Sequence, residues 1–386
     1  MFSLDRFYKI IHNNLIEPIQ RSRSFYFFPF GTYDQLIALG SDCDTQLVKI
    51  KNEPTWGTEG FFHCYFYDQE PFYDFTKLIF DQRRVSFKHI QRSNRFNILA
   101  VSEQSQLVDE YAESENYYVW YYFFHGFAAL DWYKDFKYLT PKSFNRFDKV
   151  FICYNHLTSK YRSYRLHLVS NLIDQGLVDC GYVSLFHEGW QETIADPANP
   201  LDNRARVKIY KTLRNITKPL TIDTDSPNGA LSAKVNFDNL TSALFHVVTE
   251  TVYFDSKLHL TEKVFKPIVA QRPFILAAAP GNLAYLKSYG FRTFDQWIDE
   301  SYDAEPDHYI RIEKITAEIA RLCAMDTSAL EQMYLEMQEV LEYNFNHFYT
   351  TFKDIIVDEL VDNFVKLPPV NLSNDYAEEV KKRLKQ

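Results

Sequence analysis

Short apolar, aromatic or β-branched runs recur along the chain, separated by helical or irregular stretches. They predict strands at Phe25–Phe28, Phe61–Tyr67, Asn97–Val101, Tyr117–Phe124, Lys149–Tyr154, Tyr182–Phe186, Leu244–Thr249 and Pro273–Ala277. Several are continuous apolar runs rather than alternating ones, as suits strands covered on both faces. Helical periodicity follows several of them. Leu166, Val169, Leu172 and Ile173 form one stripe over Arg165–Gly176, and Gly176 is a fitting C-terminal stop. Glu262–Ala270 and Leu283–Tyr289 also read as helices, the second closed by Gly290, and Pro267 is expected to kink the first. Strand–helix alternation argues for an α/β fold with mainly parallel sheets.

The strands fall into two sets, before and after about residue 145, and Leu139–Ser143 is the best linker between them. A length of 386 residues suits two domains at roughly 150 residues each. We expect an acceptor-side Rossmann-like domain over 1–145, a donor domain over 146–345, and a C-terminal helix and tail over 346–386 that crosses back to the first domain. The last part is helical from Ile310 onward. Ile312, Ile315, Ile319 and Leu322 start the pattern, Phe352–Val365 forms a terminal helix, and Leu367-Pro368-Pro369 precedes a Lys/Glu tail expected to fray.

Composition narrows the class. A hydrophobic fraction of 46% excludes a disordered chain, and 17% aromatics with only 11 glycines indicate an aromatic-packed globular protein. The net charge of -9 argues against a wholly electrostatic nucleic-acid binder, though not against a local basic patch. The five cysteines are scattered with no CxxC pair, so neither a disulfide framework nor a zinc site follows and a reducing compartment is expected. Charges interrupt the apolar N-terminus, unlike a signal peptide. The uncharged run Asn116–Leu130 is too short to span a bilayer and reads as a buried strand. The expected location is cytoplasmic, the host cytoplasm if the protein is viral.

Candidate chemistry concentrates in 250–281. A strand ends at Glu250, a polar loop follows, and Thr261 precedes a helix opening with Glu262 and Lys263. A helix N-terminus attracts anions, an acid there can bind a ribose diol, and the adjacent lysine neutralises a phosphate. An ordinary helix start has the same residues. A second cluster places Asn155 at a strand end and Arg162 and Arg165 at the next helix start, where guanidinium forks fit phosphate oxygens. Solvated surface arginines are the plain alternative.

The segment TEKVFKPIVAQRPFIL resembles the donor-site motif of α-1,3-fucosyltransferases and related GT-B glycosyltransferases, and Thr249-Glu250 with Asp255-Ser256 loosely echoes that family's Glu-Asn-Ser. His259-Leu260 replaces the family's Tyr before Thr-Glu-Lys, and Lys266-Pro267 stands where it has an Asn. Segment 262–303 is similar to uncharacterised phage and viral glycosyltransferases. The resemblance implies two Rossmann-like domains facing a cleft, with a nucleoside-diphosphate sugar as donor. It assigns donor binding to Arg162, Arg165, Glu250, Thr261, Glu262 and Lys263.

In the first half, predicted strands deliver Asp68, Glu70, Glu103 and His125 to one edge. Sugar transfer needs a base for the acceptor hydroxyl. Glu70 is the first choice, because Gln-Glu-Pro loosely resembles the Glu-Ser-Pro of fucosyltransferases; Asp68, Glu103 and His125 stand in reserve. A carboxylate capping the following helix is the bland alternative for each. The Asp-x-Asp pairs at Asp42/Asp44 and Asp223/Asp225 occur at chance frequency, so no essential metal and no cofactor beyond the donor is expected. Basic stretches Lys77–Arg95 and Arg204–Lys218 could follow a phosphate backbone, or be solvated faces. Three functions stay open: a glycosyltransferase with a glycan or small-molecule acceptor, a phage-type DNA glycosyltransferase acting on hydroxymethylated pyrimidines, and a non-catalytic nucleotide-binding protein.

Overall fold

A computed structural model describes residues 4–16, 18–19, 22–26, 62–72, 96–139, 147–185, 189–216, 220–222, 237–368 and 370–386. The chain forms two units, Met1–Asp131 with Lys353–Gln386, and Trp132–Phe352. Each is built on a four-stranded, all-parallel sheet. The linker expected at Leu139–Ser143 and both Asp-x-Asp pairs lie wholly or largely outside the described residues, as does the basic stretch 77–95.

In the first unit, β1 (Ser22–Tyr26), β2 (Phe62–Tyr67), β3 (Phe96–Val101) and β4 (Tyr117–Tyr121) lie side by side in chain order. Ile98, Leu99, Ala100 and Val101 are all buried, as a run without alternation requires. The expected single strand through Phe124 is shorter. It stops at Tyr121, and α3 (Phe124–Trp132) begins three residues on; α1 is Leu4–Ile11 and α2 Gln106–Glu115. The strand and the helix are both fully apolar where they meet, so the run of hydrophobicity hides the break.

The C-terminal residues of this unit form α13 (Phe352–Val365) and α14 (Asn374–Lys385). Trp120 Nε1 donates to Leu360 O at 3.0 Å and its ring packs on Phe364 at 4.6 Å. The tail does not fray. Ala377, Val380 and Leu384 are buried, Arg383 Nη1 donates to Asn14 Oδ1 at 2.6 Å, and Lys381 and Lys385 pair with Asp362 and Asp358. Its high charge suggested a solvated end, but its apolar positions recur every three or four residues and form a stripe.

The second unit has β5 (Lys149–Cys153), β6 (Gly181–Val183), β7 (Ala243–Thr249) and β8 (Phe274–Ala277) in the order β6-β5-β7-β8. The chain leaves β5 toward β6 and later returns to the other side of β5 as β7. That reversal is a topological switch point, and ligands of open α/β sheets gather outside the carboxyl ends of the strands there. Helix α4 (Tyr164–Asp174) joins β5 to β6 and buries Leu166, Val169 and Leu172; Gly176 follows it at φ 68°. The expected strand through Phe186 ends at Val183, and Leu185 then bridges Leu220. Helix α5 is Trp190–Ala195, α6 Asn203–Leu213, α7 Phe237–Ser242 and α8 Phe265–Val269; α9 is Asn282–Ser288. Helices α10 (His308–Cys323), α11 (Thr327–Glu336) and α12 (Gln338–Thr350) complete the unit, with Ile312, Ile315, Ile319 and Leu322 inaccessible to solvent. Pro267 causes no kink: a 3-10 turn spans Glu262–Val264 and α8 starts only at Phe265, so the proline falls in a first turn, where its missing N–H breaks no α-helical bond.

Candidate functional site

Glu250 follows β7 directly and is 0% exposed. Its carboxylate ties the strand end to the start of the Thr-Glu-Lys turn. Thr261 N donates to Oε1 at 3.2 Å and Thr261 Oγ1 donates to Oε2 at 2.5 Å, while Thr251 N reaches Oε2 at 3.3 Å. Burial raises the carboxyl's proton affinity, and Lys263 and the Thr261 hydroxyl pull it down. Thr261 also caps the turn, accepting from Lys263 N. Lys263 Nζ donates to Thr261 Oγ1 at 3.0 Å and Thr251 Oγ1 at 3.3 Å, and lies 3.4 Å from Glu262 Oε1. The loop from 251 to 260 is thereby closed at its base by one buried acid.

Around this lock stand two residues to which the sequence reading assigns no role. Tyr133 is fully buried; burial first, then Glu262 and Glu250, raise its phenol well above the ordinary range, so it stays protonated beside both acids. Lys266 is half-buried on α8, one turn beyond Lys263. Neither carries a local signal, because Tyr133 reaches the site only through the tertiary fold and Lys266 resembles an ordinary helix-surface lysine.

At the switch point the side chains fill the strand ends. Thr249 Oγ1 donates to Tyr154 O at 2.9 Å, joining the ends of β7 and β5. Arg165, which the sequence places among the donor-binding residues, is 4% exposed. Nη1 donates to Leu157 O at 2.8 Å, and Nη2 to Thr249 O at 2.8 Å and Glu250 O at 3.1 Å. Its guanidinium is therefore committed to backbone carbonyls, which a parallel sheet leaves unbonded at its carboxyl edge. Tyr164 does the same, donating to Glu250 O at 2.7 Å and Ala277 O at 3.2 Å. Asn155 is buried, with Nδ2 bound to Ser184 O at 3.1 Å, and among the described residues its Oδ1 accepts no hydrogen bond. Arg162 is half-buried in the 3-10 turn Lys160–Arg162. Lys160 (φ 52°) and Asp255 (φ 65°) both hold left-handed backbone on exposed loops of this edge, and Asp255 adds to the burial that raises the Tyr161 phenol, so the two loops adjoin.

The carboxyl edge of the first sheet holds Asp68, Glu70 and Glu103. Asp68 is 1% exposed, and its Oδ2 accepts from Tyr8 Oη at 3.0 Å and from Tyr122 Oη. Burial pushes its carboxyl up to about 6, against the two hydroxyls that pull it down. Glu70 lies two residues on and is half-buried. Glu103 is a structural acid: Phe72 N donates to one oxygen at 2.6 Å and Ser105 Oγ to the other at 2.5 Å, so it ties two loops together. His125 is not at a strand end; it lies buried in the first turn of α3.

The basic stretch 204–218 is engaged within the unit at three of its six basic residues. Arg204 pairs with Asp202 and Asp307, Arg206 donates to the carbonyls of Ile194, Asp196, Asn199 and Leu201, and Lys208 pairs with Glu313. Among the described residues no group of three or more His, Cys, Asp and Glu side chains could hold a metal ion, and no helix is long and apolar enough to cross a membrane. Comparison with protein families, curated proteins and solved structures finds no match to the chain.

Proposed function

We propose that the protein is a glycosyltransferase of the GT-B type, transferring a sugar from a nucleoside-diphosphate sugar to an acceptor hydroxyl. The observation that carries the reading is the Glu250–Thr261–Lys263 lock, which holds a half-exposed ammonium beside a buried acid at the carboxyl edge of a parallel sheet. In this reading Lys263 and Arg162 neutralise the leaving diphosphate, where negative charge develops most. Glu262, expected at the ribose diol, is 4% exposed like Arg165, so in this reading it holds the Lys263 ammonium from 3.4 Å and does not touch the donor. Glu250 and Arg165, both enclosed, position the loop and the strand ends and do not touch the donor. Glu70 accepts the proton of the acceptor hydroxyl; it is reachable, whereas Asp68 is enclosed by two tyrosines.

A duplex-DNA acceptor draws less support, because Arg204, Arg206 and Lys208 are engaged within the unit. The test is release of nucleoside diphosphate from a panel of nucleotide sugars with glycan and hydroxymethylated-DNA acceptors. The expected result is turnover with one donor and a loss of about 10²–10⁴-fold in Glu70→Gln. No consumption of any donor, together with no donor binding, overturns the reading.

A further inference from the structure

Lys263 already has an acid at 3.4 Å and two threonine hydroxyls around its ammonium. Lys266 differs. Three residues on, it projects from the turn that continues the same helical path, so the two side chains lie on neighbouring positions of one face. It is half-buried, and among the described residues no hydrogen bond or ion pair reaches its Nζ. Its field is nonetheless that of the site: burial lowers its proton affinity first, Glu262 and Glu250 raise it and Lys263 lowers it. A partly desolvated cation without a bonded anion is costly to keep, and the cost is relieved when an anion is delivered to it.

We propose that Lys266 is a second phosphate-contacting cation of the donor site, and that with Lys263 it makes the site select diphosphate-bearing ligands over monophosphate-bearing ones. The proposal rests on the donor reading above and names the ligand class of that site. One lysine can neutralise a single phosphoryl group. Two lysines one turn apart can meet both groups of a diphosphate, and only a ligand with the second group gains from Lys266. A side chain that merely extends its ammonium to solvent along an apolar stem would give no such discrimination.

The experiment is isothermal titration of the full chain with inorganic pyrophosphate, inorganic phosphate, and a panel of nucleoside di- and monophosphates. The wild type is expected to bind pyrophosphate at least about tenfold more tightly than phosphate, the size of one charge-assisted contact. Lys266→Met should lower pyrophosphate affinity about tenfold and leave phosphate affinity within about twofold, with Lys266→Arg retaining most of the selectivity. Lys266→Gln serves as a second neutral variant if Lys266→Met does not fold. An unchanged pyrophosphate-to-phosphate ratio in the neutral variants, while Lys263→Ala weakens both ligands, overturns the role of Lys266 and leaves the donor site standing. Failure of the wild type to bind any of these ligands overturns the donor site and this inference together.

Discussion

The Thr261 hydroxyl donates to Glu250 Oε2 at 2.5 Å while accepting from Lys263 Nζ at 3.0 Å. One side chain thus orders the end of β7, the start of the Thr-Glu-Lys turn and the ammonium that carries the site's reachable positive charge. Thr261→Val keeps the shape and removes the hydroxyl. The expected result is a loss of about 1–3 kcal/mol, because a buried carboxylate loses its strongest donor. Thr261→Ser should recover most of it. Urea unfolding of the three proteins measures this; equal stability of valine and threonine would show that the lock does not hold the loop.

Arg165 makes the opposite case to a ligand-binding arginine. Its contacts are to three backbone carbonyls at the end of β7 and in the loop after β5. Arg165→Met should cost about 3 kcal/mol, since bonds from a charged donor are the strong ones. Nucleotide affinity, measured where the variant is fully folded, should change only as far as loop order changes. A variant of wild-type stability with nucleotide binding abolished would return Arg165 to the phosphates.

Asp68 gives a pH signature. Its carboxyl holds its proton up to about 6 in the folded chain against an ordinary value of 3.8. The folded state therefore binds the proton more tightly, and the group's contribution is fully present below 3.8 and is lost as pH rises through 6. A shift of about two units corresponds to about 3 kcal/mol. The stability of Asp68→Asn minus that of the wild type should thus rise by about this amount between roughly pH 3.5 and pH 7. Chemical unfolding across that range tests it, and a flat difference would mean that Asp68 is solvated or paired more strongly than its tyrosine contacts indicate.

The strand pattern was legible because parallel strands buried on both faces are close to continuous apolar runs, as in Ile98–Val101 and in Ala243–Thr249, where His246 alone interrupts the run before its terminal threonine. The boundary between β4 and α3 was not, because Tyr122, Phe123 and Phe124 are buried whichever element they join. The Thr-Glu-Lys turn could be located from its cap and its charges. The burial of Arg165 could not, since two of the three carbonyls that hold it, Thr249 O and Glu250 O, lie at the end of β7, far along the chain. Glu103 reads like Glu70 in sequence, a strand-end acid, and only the Phe72 N–H and the Ser105 hydroxyl distinguish it as structural. The folded tail was missed because its charges outnumber the Ala377, Val380 and Leu384 stripe.

The central claim is that the Thr-Glu-Lys turn holds a nucleotide diphosphate. Equilibrium titration of the wild type and Lys263→Ala with UDP, GDP, ADP and dTDP tests it most directly. The account predicts saturable binding of at least one of these to the wild type, weakened about tenfold or more in Lys263→Ala by loss of a charge-assisted contact, with the ligand-free variant still unfolding cooperatively at a somewhat lower melting temperature, because Glu250 and Glu262 lose a neighbouring cation. Binding of equal strength to both proteins would contradict it.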